Sequence, residues 1–154
     1  MPLIILINAI TGLMVALLYY PGSPINLFHG ARIDEVWLWS KYAALAAGIL
    51  FILSLLALDP NAKGRNLARK LSAFIILLQG ILNLPPAAVY AIFLHGSSSA
   101  HLTIKKSTIT ISSAGLFLHL GVILICWSTA AWLAFKKNKC APASSMPLVG
   151  MQAK

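Results

Sequence analysis

The stretch LSAFIILLQGILNLPPAAVYAIFL, residues 71–94, decides the fold of this chain. It is an apolar run that contains Ser72, Gln79 and Asn83 but no charged side chain. A helix of roughly 20 residues crosses the hydrocarbon core of a bilayer, which is about 30 Å thick. A membrane β-strand would instead be a shorter segment of about 10 residues with alternating polarity. The stretch therefore predicts a transmembrane helix.

Three further runs of the same kind occupy residues 3–20, 36–58 and 114–135. Hydrophobic residues make up 59% of the chain and charged residues only 10%, which is unusual for a soluble domain. The first run lacks the basic start and small-residue cleavage site of a signal peptide, so we expect it to remain as a helix. We predict an all-α integral membrane protein, a bundle of four transmembrane helices with short loops. Its domain spans residues 1–140, followed by a disordered cytoplasmic tail, 141–154.

The net charge of +9 comes from basic residues that lie close to the ends of the predicted helices. One cluster runs from Lys63 to Lys70, and a second runs from Lys136 to Lys139. Basic residues remain on the cytoplasmic side of most membrane proteins, so both termini are predicted to be cytoplasmic. We expect these charges to contact membrane lipids rather than nucleic acid. The type of membrane cannot be read from the sequence.

The predicted loop between the third and fourth helices lies on the exoplasmic side. In its segment from Thr108 to Ser112, polar and apolar residues alternate. This period is typical of a half-buried strand, so a short strand is one prediction for it. The other is a polar first turn of the last helix, with Ser112 or Ser113 as its N-cap.

Polar residues recur on one face of the last two predicted helices. Lipid tails form no hydrogen bonds, so these residues should face the interior of the bundle. The third helix carries Ser72, Gln79, Asn83 and Tyr90, and the fourth carries Gly115, His119, Val122 and Cys126.

Asn83 and His119 are predicted to lie at nearly the same depth in the membrane, because the two helices run in opposite directions. Pro85 and Pro86 should break the third helix beside Asn83, because proline lacks a backbone N–H. Broken helices in membrane proteins often line a cavity. We therefore predict a polar cavity in the exoplasmic half of the bundle. The candidate catalytic residues are His119, Asn83, Glu35 and Tyr90, and the candidate ligand-binding residues are Gln79, Asn83, Tyr90, His119, His29, Arg32 and Asp34. The alternative for each is a structural role, such as a hydrogen bond between helices.

The sequence favours no particular chemistry. It contains no Walker, GxSxG, HExxH or CxxC motif, and its histidines lack close metal-ligand spacing, so we expect no metal and no cofactor. Our first hypothesis is an accessory or structural subunit of a larger membrane complex, with protein partners or copies of itself. The alternative is a membrane-embedded enzyme that acts on a lipid-like substrate through the exoplasmic cavity. Transport is a third and weaker hypothesis.

Overall fold

The computed structural model describes residues 1–20, 34–59, 61–95, 99–104 and 107–136. Its elements in chain order are α1 (Pro2–Tyr19), α2 (Asp34–Leu56), α3 (Ala62–Leu82), α4 (Leu84–Leu94), β1 (Ser99–Ile104), β2 (Ser107–Ser112) and α5 (Ser113–Phe135). Within these described residues, four segments are helical, long and apolar enough to cross a membrane, and α3 with α4 forms one of them. The predicted tail, 141–154, lies outside the described residues.

The helices pack as two layers. One layer is α1 against α2, and the other is α5 against both α3 and α4. The layers meet mainly where α2 contacts α3, whereas α2 and α4 are barely in contact. Ile5, Leu50, Ile76 and Leu133 are fully buried in the core. The outward faces of the helices are apolar and exposed, as expected of helices that face lipid.

The third span begins earlier than predicted, at Ala62 rather than at residue 71. Its N-cap is Asn61, whose side-chain oxygen accepts a hydrogen bond from the Lys63 amide at 3.0 Å. The Asn61 amide in turn donates to Asp59 Oδ1 at 2.7 Å. Hydropathy identifies only the apolar part of a helix, which is the part in contact with lipid. The start of α3 is set instead by the polar capping residues Asp59 and Asn61. The basic cluster from Lys63 to Lys70 therefore lies on the first turns of α3, not in a loop.

The third span breaks at Asn83, as its two prolines predict. The Asn83 amide donates to the Gly80 carbonyl at 3.1 Å, which tightens the last turn of α3. Pro85 and Pro86 fall in the first turn of α4, where a backbone N–H is not needed. Asn83 Nδ2 donates to the Gln79 carbonyl at 2.8 Å and satisfies that backbone group at the break. The Asn83 side chain therefore supplies a partner for one backbone carbonyl at the break.

The strands β1 and β2 pair antiparallel, and α5 follows β2 directly. Their register pairs Ser99 with Ser112 and Ile104 with Ser107. The residues assigned above either to a strand or to a helical first turn are therefore extended, and α5 begins at Ser113. Ser112 is its N-cap but makes no side-chain capping bond. We call this end of the bundle the hairpin end.

The N-terminal end of α3 and the C-terminal end of α5 lie at the opposite end of the bundle. We call it the basic end, because the basic residues from Lys63 to Lys70 lie there. Arg69 is buried there, and its guanidinium donates hydrogen bonds to the Lys136 carbonyl and, at 2.9 Å, to Asn66 Oδ1. Lys136 follows the last residue of α5, so Arg69 caps a carbonyl that the helix leaves open. This contact ties α3 to the C-terminal end of α5.

Candidate ligand site inside the bundle

A cavity of about 190 Å³ lies in the half of the bundle nearer the hairpin end. All five helices contribute to it: Gly12, Val15 and Tyr19 from α1, Trp39, Ser40 and Ala43 from α2, Gln79 and Leu82 from α3, Pro85, Pro86, Val89 and Tyr90 from α4, and His119 from α5, with Asn83 at the α3–α4 break. It lies between α2 and α4, which are barely in contact with each other. The break in the third span, with Asn83, Pro85 and Pro86, is part of its wall.

A chain of buried hydrogen bonds joins three helical segments at the cavity wall. His119 Nδ1 lies 2.8 Å from Asn83 Oδ1, and His119 Nε2 is hydrogen-bonded to the Tyr19 hydroxyl. The Tyr19 ring also stacks on the imidazole, with centroids 5.4 Å apart. The predicted match in depth between Asn83 and His119 is confirmed by their direct contact.

The directions of these hydrogen bonds follow from the backbone. Asn83 Nδ2 donates to the Gln79 carbonyl, so Asn83 Oδ1 is the atom that faces His119 and can only accept. His119 Nδ1 must then carry a proton. In a fully buried position, with no carboxylate among the described lining residues, the neutral imidazole is favoured. His119 Nε2 is therefore an acceptor, and the Tyr19 hydroxyl donates to it.

Tyr90 extends this chain from the other side. Its side chain is hydrogen-bonded to that of Tyr19, and its ring centroid lies 5.6 Å from that of His119. The Tyr90 ring packs directly against Gly115, where a Cβ would overlap ring carbons. Gly115 thus lets the Tyr90 ring approach the α5 backbone, which explains why a small residue occupies the polar stripe of that helix.

Gln79 lines the end of the cavity that is nearest the middle of the bundle. Its side chain is 1% exposed, and Nε2 donates to the Asn8 carbonyl of α1 at 3.3 Å. That carbonyl only accepts hydrogen bonds, so the amide nitrogen faces it and the oxygen faces away. Gln79 Oε1 is buried and has no hydrogen-bond partner among the described residues.

The cavity opens sideways between α2 and α4. Val89 lines it and is 43% exposed, Pro85 is also exposed, and Trp39 and Pro86 are half-buried. Tyr90, His119 and the other polar lining residues are buried. The opening is therefore apolar and lies along the flanks of two helices, while the polar groups lie inside.

Four predicted site residues, Gln79, Asn83, Tyr90 and His119, come together at this cavity. Asp34 and Glu35 begin α2, but their side chains are not among those described, and His29 and Arg32 lie outside the described residues. The catalytic and ligand-binding roles assigned to all of these residues remain predictions.

Sequence reasoning missed several lining residues. Tyr19 ends the polar face of α1, so the same periodicity that marked Asn83 and His119 could have identified it as a site residue. Trp39 and Val89 could not have been identified from polar periodicity. Both are apolar, and in a sequence an apolar residue at a cavity opening looks the same as one that faces lipid. Lys41 and Tyr42 directly follow the lining residue Ser40 in α2, but both are exposed and do not line the cavity.

Among the side chains that the structure describes, no group of three His, Cys, Asp or Glu residues comes together to hold a metal ion. The expectation of no metal and no cofactor remains a prediction. No protein-family model, curated protein or solved structure matches the chain.

Proposed function

We propose that this chain is an integral membrane protein that binds a lipid-like amphiphile in the cavity between α2 and α4. The observation that carries the proposal is the arrangement of the cavity: buried polar groups inside and an apolar opening on the side of the bundle. An amphiphile has the matching shape, because its head group needs hydrogen bonds and its chain needs an apolar surface. In a bilayer such a molecule could enter from the side without passing through water.

Charge distribution supports one orientation. The basic residues of α3 and the end of α5 lie at the basic end, where the positive-inside rule places cytoplasm. In the proposed topology both termini are cytoplasmic, and the cavity lies in the exoplasmic half of the bilayer. The ligand would then come from the exoplasmic leaflet.

The lining groups favour binding over catalysis. Tyr19, His119 and Asn83 form a hydrogen-bonded chain that ends on a backbone carbonyl, and such a chain holds side chains in fixed positions. Among the described lining residues there is no carboxylate, cysteine or lysine to act as a nucleophile or strong base. The proposed activity is therefore recognition of a lipid-like molecule, and the enzyme hypothesis is secondary to it.

Trp39 at the cavity opening supplies a direct test. The protein, purified in mild detergent and reconstituted in nanodiscs, would be titrated with a monoacylglycerol that carries bromine atoms on its acyl chain. Bromine quenches indole fluorescence at short range, so binding should give a saturable loss of emission that disappears in Trp39→Phe. Quenching that rises linearly, and is the same in Trp39→Phe, would contradict the proposal.

The accessory-subunit hypothesis remains a second candidate, because one face of α2 favours it. Ala44 and Gly48 are spaced as a small-xxx-small pair and face outward, and a Cβ at Gly48 would meet nothing within 4 Å. Such pairs let a second transmembrane helix approach closely. Their inward neighbours Ala43 and Ala47 are already buried within the bundle. Gly48→Leu should abolish co-purification of a stoichiometric partner if this face is an interface, and unchanged co-purification would remove the candidate.

A further inference from the structure

The seam between α1 and α5 is an open side of the bundle. The helix α1 packs against α2, and α5 packs against α3 and α4, whereas α1 and α5 are barely in contact. A groove of about 290 Å³ lies between them, in the half of the bundle nearer the basic end. It shares no lining residue with the cavity between α2 and α4. The groove is therefore a separate site.

Polar groups form the floor of this groove, and apolar side chains form its walls. Asn8 is fully buried, and its Oδ1 lies 3.3 Å from the Thr129 hydroxyl, which joins α1 to α5 at the floor. The exposed walls consist of Ile7 on α1 and of Ile125 and Trp132 on α5. A molecule in the bilayer can therefore reach the groove without any movement of the helices.

The walls suit a flexible chain better than a second helix. A helix is about 10 Å across, and it packs closely where small residues let the two backbones approach. The exposed walls here carry the large side chains of Ile7, Ile125 and Trp132. An acyl chain can bend between them, and the stretch from Ile125 to Trp132 gives it about 10 Å of groove to follow.

A positive charge lies at the basic end of the groove. Lys136 Nζ is 4.3 Å from the centroid of the Trp132 ring, so the ammonium reaches back one turn to the groove wall. Arg69 donates a hydrogen bond to the Lys136 carbonyl, which fixes the backbone from which the lysine extends. Among the residues described at this end, the only acid is Asp59, which accepts a hydrogen bond from the Asn61 amide and does not line the groove. The charge beside the groove therefore suits an anion.

We infer that this groove binds an anionic phospholipid, with its phosphate at the Lys136 ammonium and one acyl chain between Ile7 and Ile125. Ser128 is exposed in the groove one turn before Trp132, about 6 Å deeper in the membrane, where its hydroxyl can donate to an ester carbonyl of the lipid. This inference goes beyond the proposed function and does not depend on it. In the proposed topology the lipid comes from the cytoplasmic leaflet, whose anionic lipids attract basic residues.

The test compares two lipids in nanodiscs of a single composition, phosphatidylglycerol with phosphatidylcholine. In one set the phosphatidylglycerol carries brominated acyl chains, and in the other an equal amount of phosphatidylcholine does, so the surface charge is the same in both. The Trp132 signal is the quenching that the wild type shows and Trp132→Phe lacks. Brominated phosphatidylglycerol should quench it as though enriched about fivefold over brominated phosphatidylcholine, the ratio expected from one lysine near a membrane surface.

Lys136→Gln removes the charge and should bring this preference close to one. Lys63→Gln is the matched control, because it removes one exposed charge from the same end at a residue that does not line the groove, and it should keep the preference. Ser128→Phe fills the groove and should also lower the preference. Leu124→Phe, at a residue of the same helix that is 66% exposed and does not line the groove, should retain it.

Equal enrichment of the two lipids in the wild type would overturn the inference, as would an equal loss of preference in Lys136→Gln and Lys63→Gln. A Trp132 signal that neither lipid quenches would also overturn it, because a helix of a partner or of a second copy of this chain would then cover the groove. None of these results bears on the proposed function, since binding in the cavity is measured through Trp39.

Discussion

His119 Nδ1 lies 2.8 Å from Asn83 Oδ1, so the second turn of α5 is bound to the break between α3 and α4. The contact fixes the imidazole ring, and through it the Tyr19 hydroxyl on α1. One buried histidine thus links the two layers of the bundle at the wall of the cavity. Its energetic and functional contributions can be measured separately.

A double-mutant cycle measures the coupling between these two residues. Asn83→Leu and His119→Leu should each destabilise the protein. The double variant should be less destabilised than their sum by about 0.6 kcal/mol, the average for hydrogen bonds between membrane helices, and by at most about 1.7 kcal/mol. The measurement is unfolding in mixed micelles of increasing SDS content, followed by circular dichroism. Additive effects would mean that the Asn83–His119 hydrogen bond contributes nothing.

Gly115→Ala should displace the Tyr90 ring, because the added Cβ would overlap it. Overpacking of this kind costs about 1–3 kcal/mol. Gly121→Ala in the same helix is the control, since a Cβ there meets nothing within 4 Å and alanine favours a helix. SDS unfolding should show a loss of stability for the first variant and none for the second. Equal effects would contradict the packing of Tyr90 against α5.

Arg69→Lys separates charge from geometry at the basic end. Lysine keeps the positive charge but cannot reproduce the fork that binds both Lys136 and Asn66, so stability should fall by about 1–3 kcal/mol. Arg65 is exposed, and Arg65→Lys should leave stability unchanged. Identical unfolding curves for both variants would show that the Arg69 contact is unimportant.

The proposed orientation predicts opposite labelling of two sites. In a variant with Cys126→Ala and Cys140→Ala, a cysteine replacing Arg65 should react with a membrane-impermeant maleimide only after the membrane is opened. A cysteine replacing Ser99 on β1 should react in intact cells. Both positions are exposed, so access to the reagent depends on the side of the membrane. The reverse pattern would place the cavity in the cytoplasmic leaflet.

The sequence predicts the spans and the polar stripes because lipid imposes a simple rule: polar side chains turn inward. That rule placed Gln79, Asn83 and His119 inside the bundle. It could not locate the start of α3, because the Asn61 cap lies in a polar segment that hydropathy reads as a loop. It could not place Val89 either, because the cavity opening depends on how α4 packs relative to α2, and no local sequence pattern encodes that packing.

The outward face of α2 shows the same limit. The sequence of α2 has two small-xxx-small pairs, Ala43 with Ala47 and Ala44 with Gly48, and their spacing alone does not say which pair is buried. Only the first pair is buried, because adjacent residues on a helix point about 100° apart. Which pair faces the bundle is decided by the position of α1, whose Gly12 lies against Ala47.

Photo-crosslinking tests the central claim, that an amphiphile enters the cavity sideways between α2 and α4. A monoacylglycerol with a diazirine close to its head group would be added to nanodiscs, and the labelled peptides would be mapped by mass spectrometry. Label should appear on the segment of α2 around Trp39 to Ala43, and unlabelled monooleoylglycerol should compete it away. Val89→Trp, which narrows the opening, should abolish this label. Ile92→Trp on the same helix, at a residue that is 69% exposed and does not line the cavity, should retain it. Equal labelling of α2 in both variants, or label confined to the outer faces of the helices, would contradict the account.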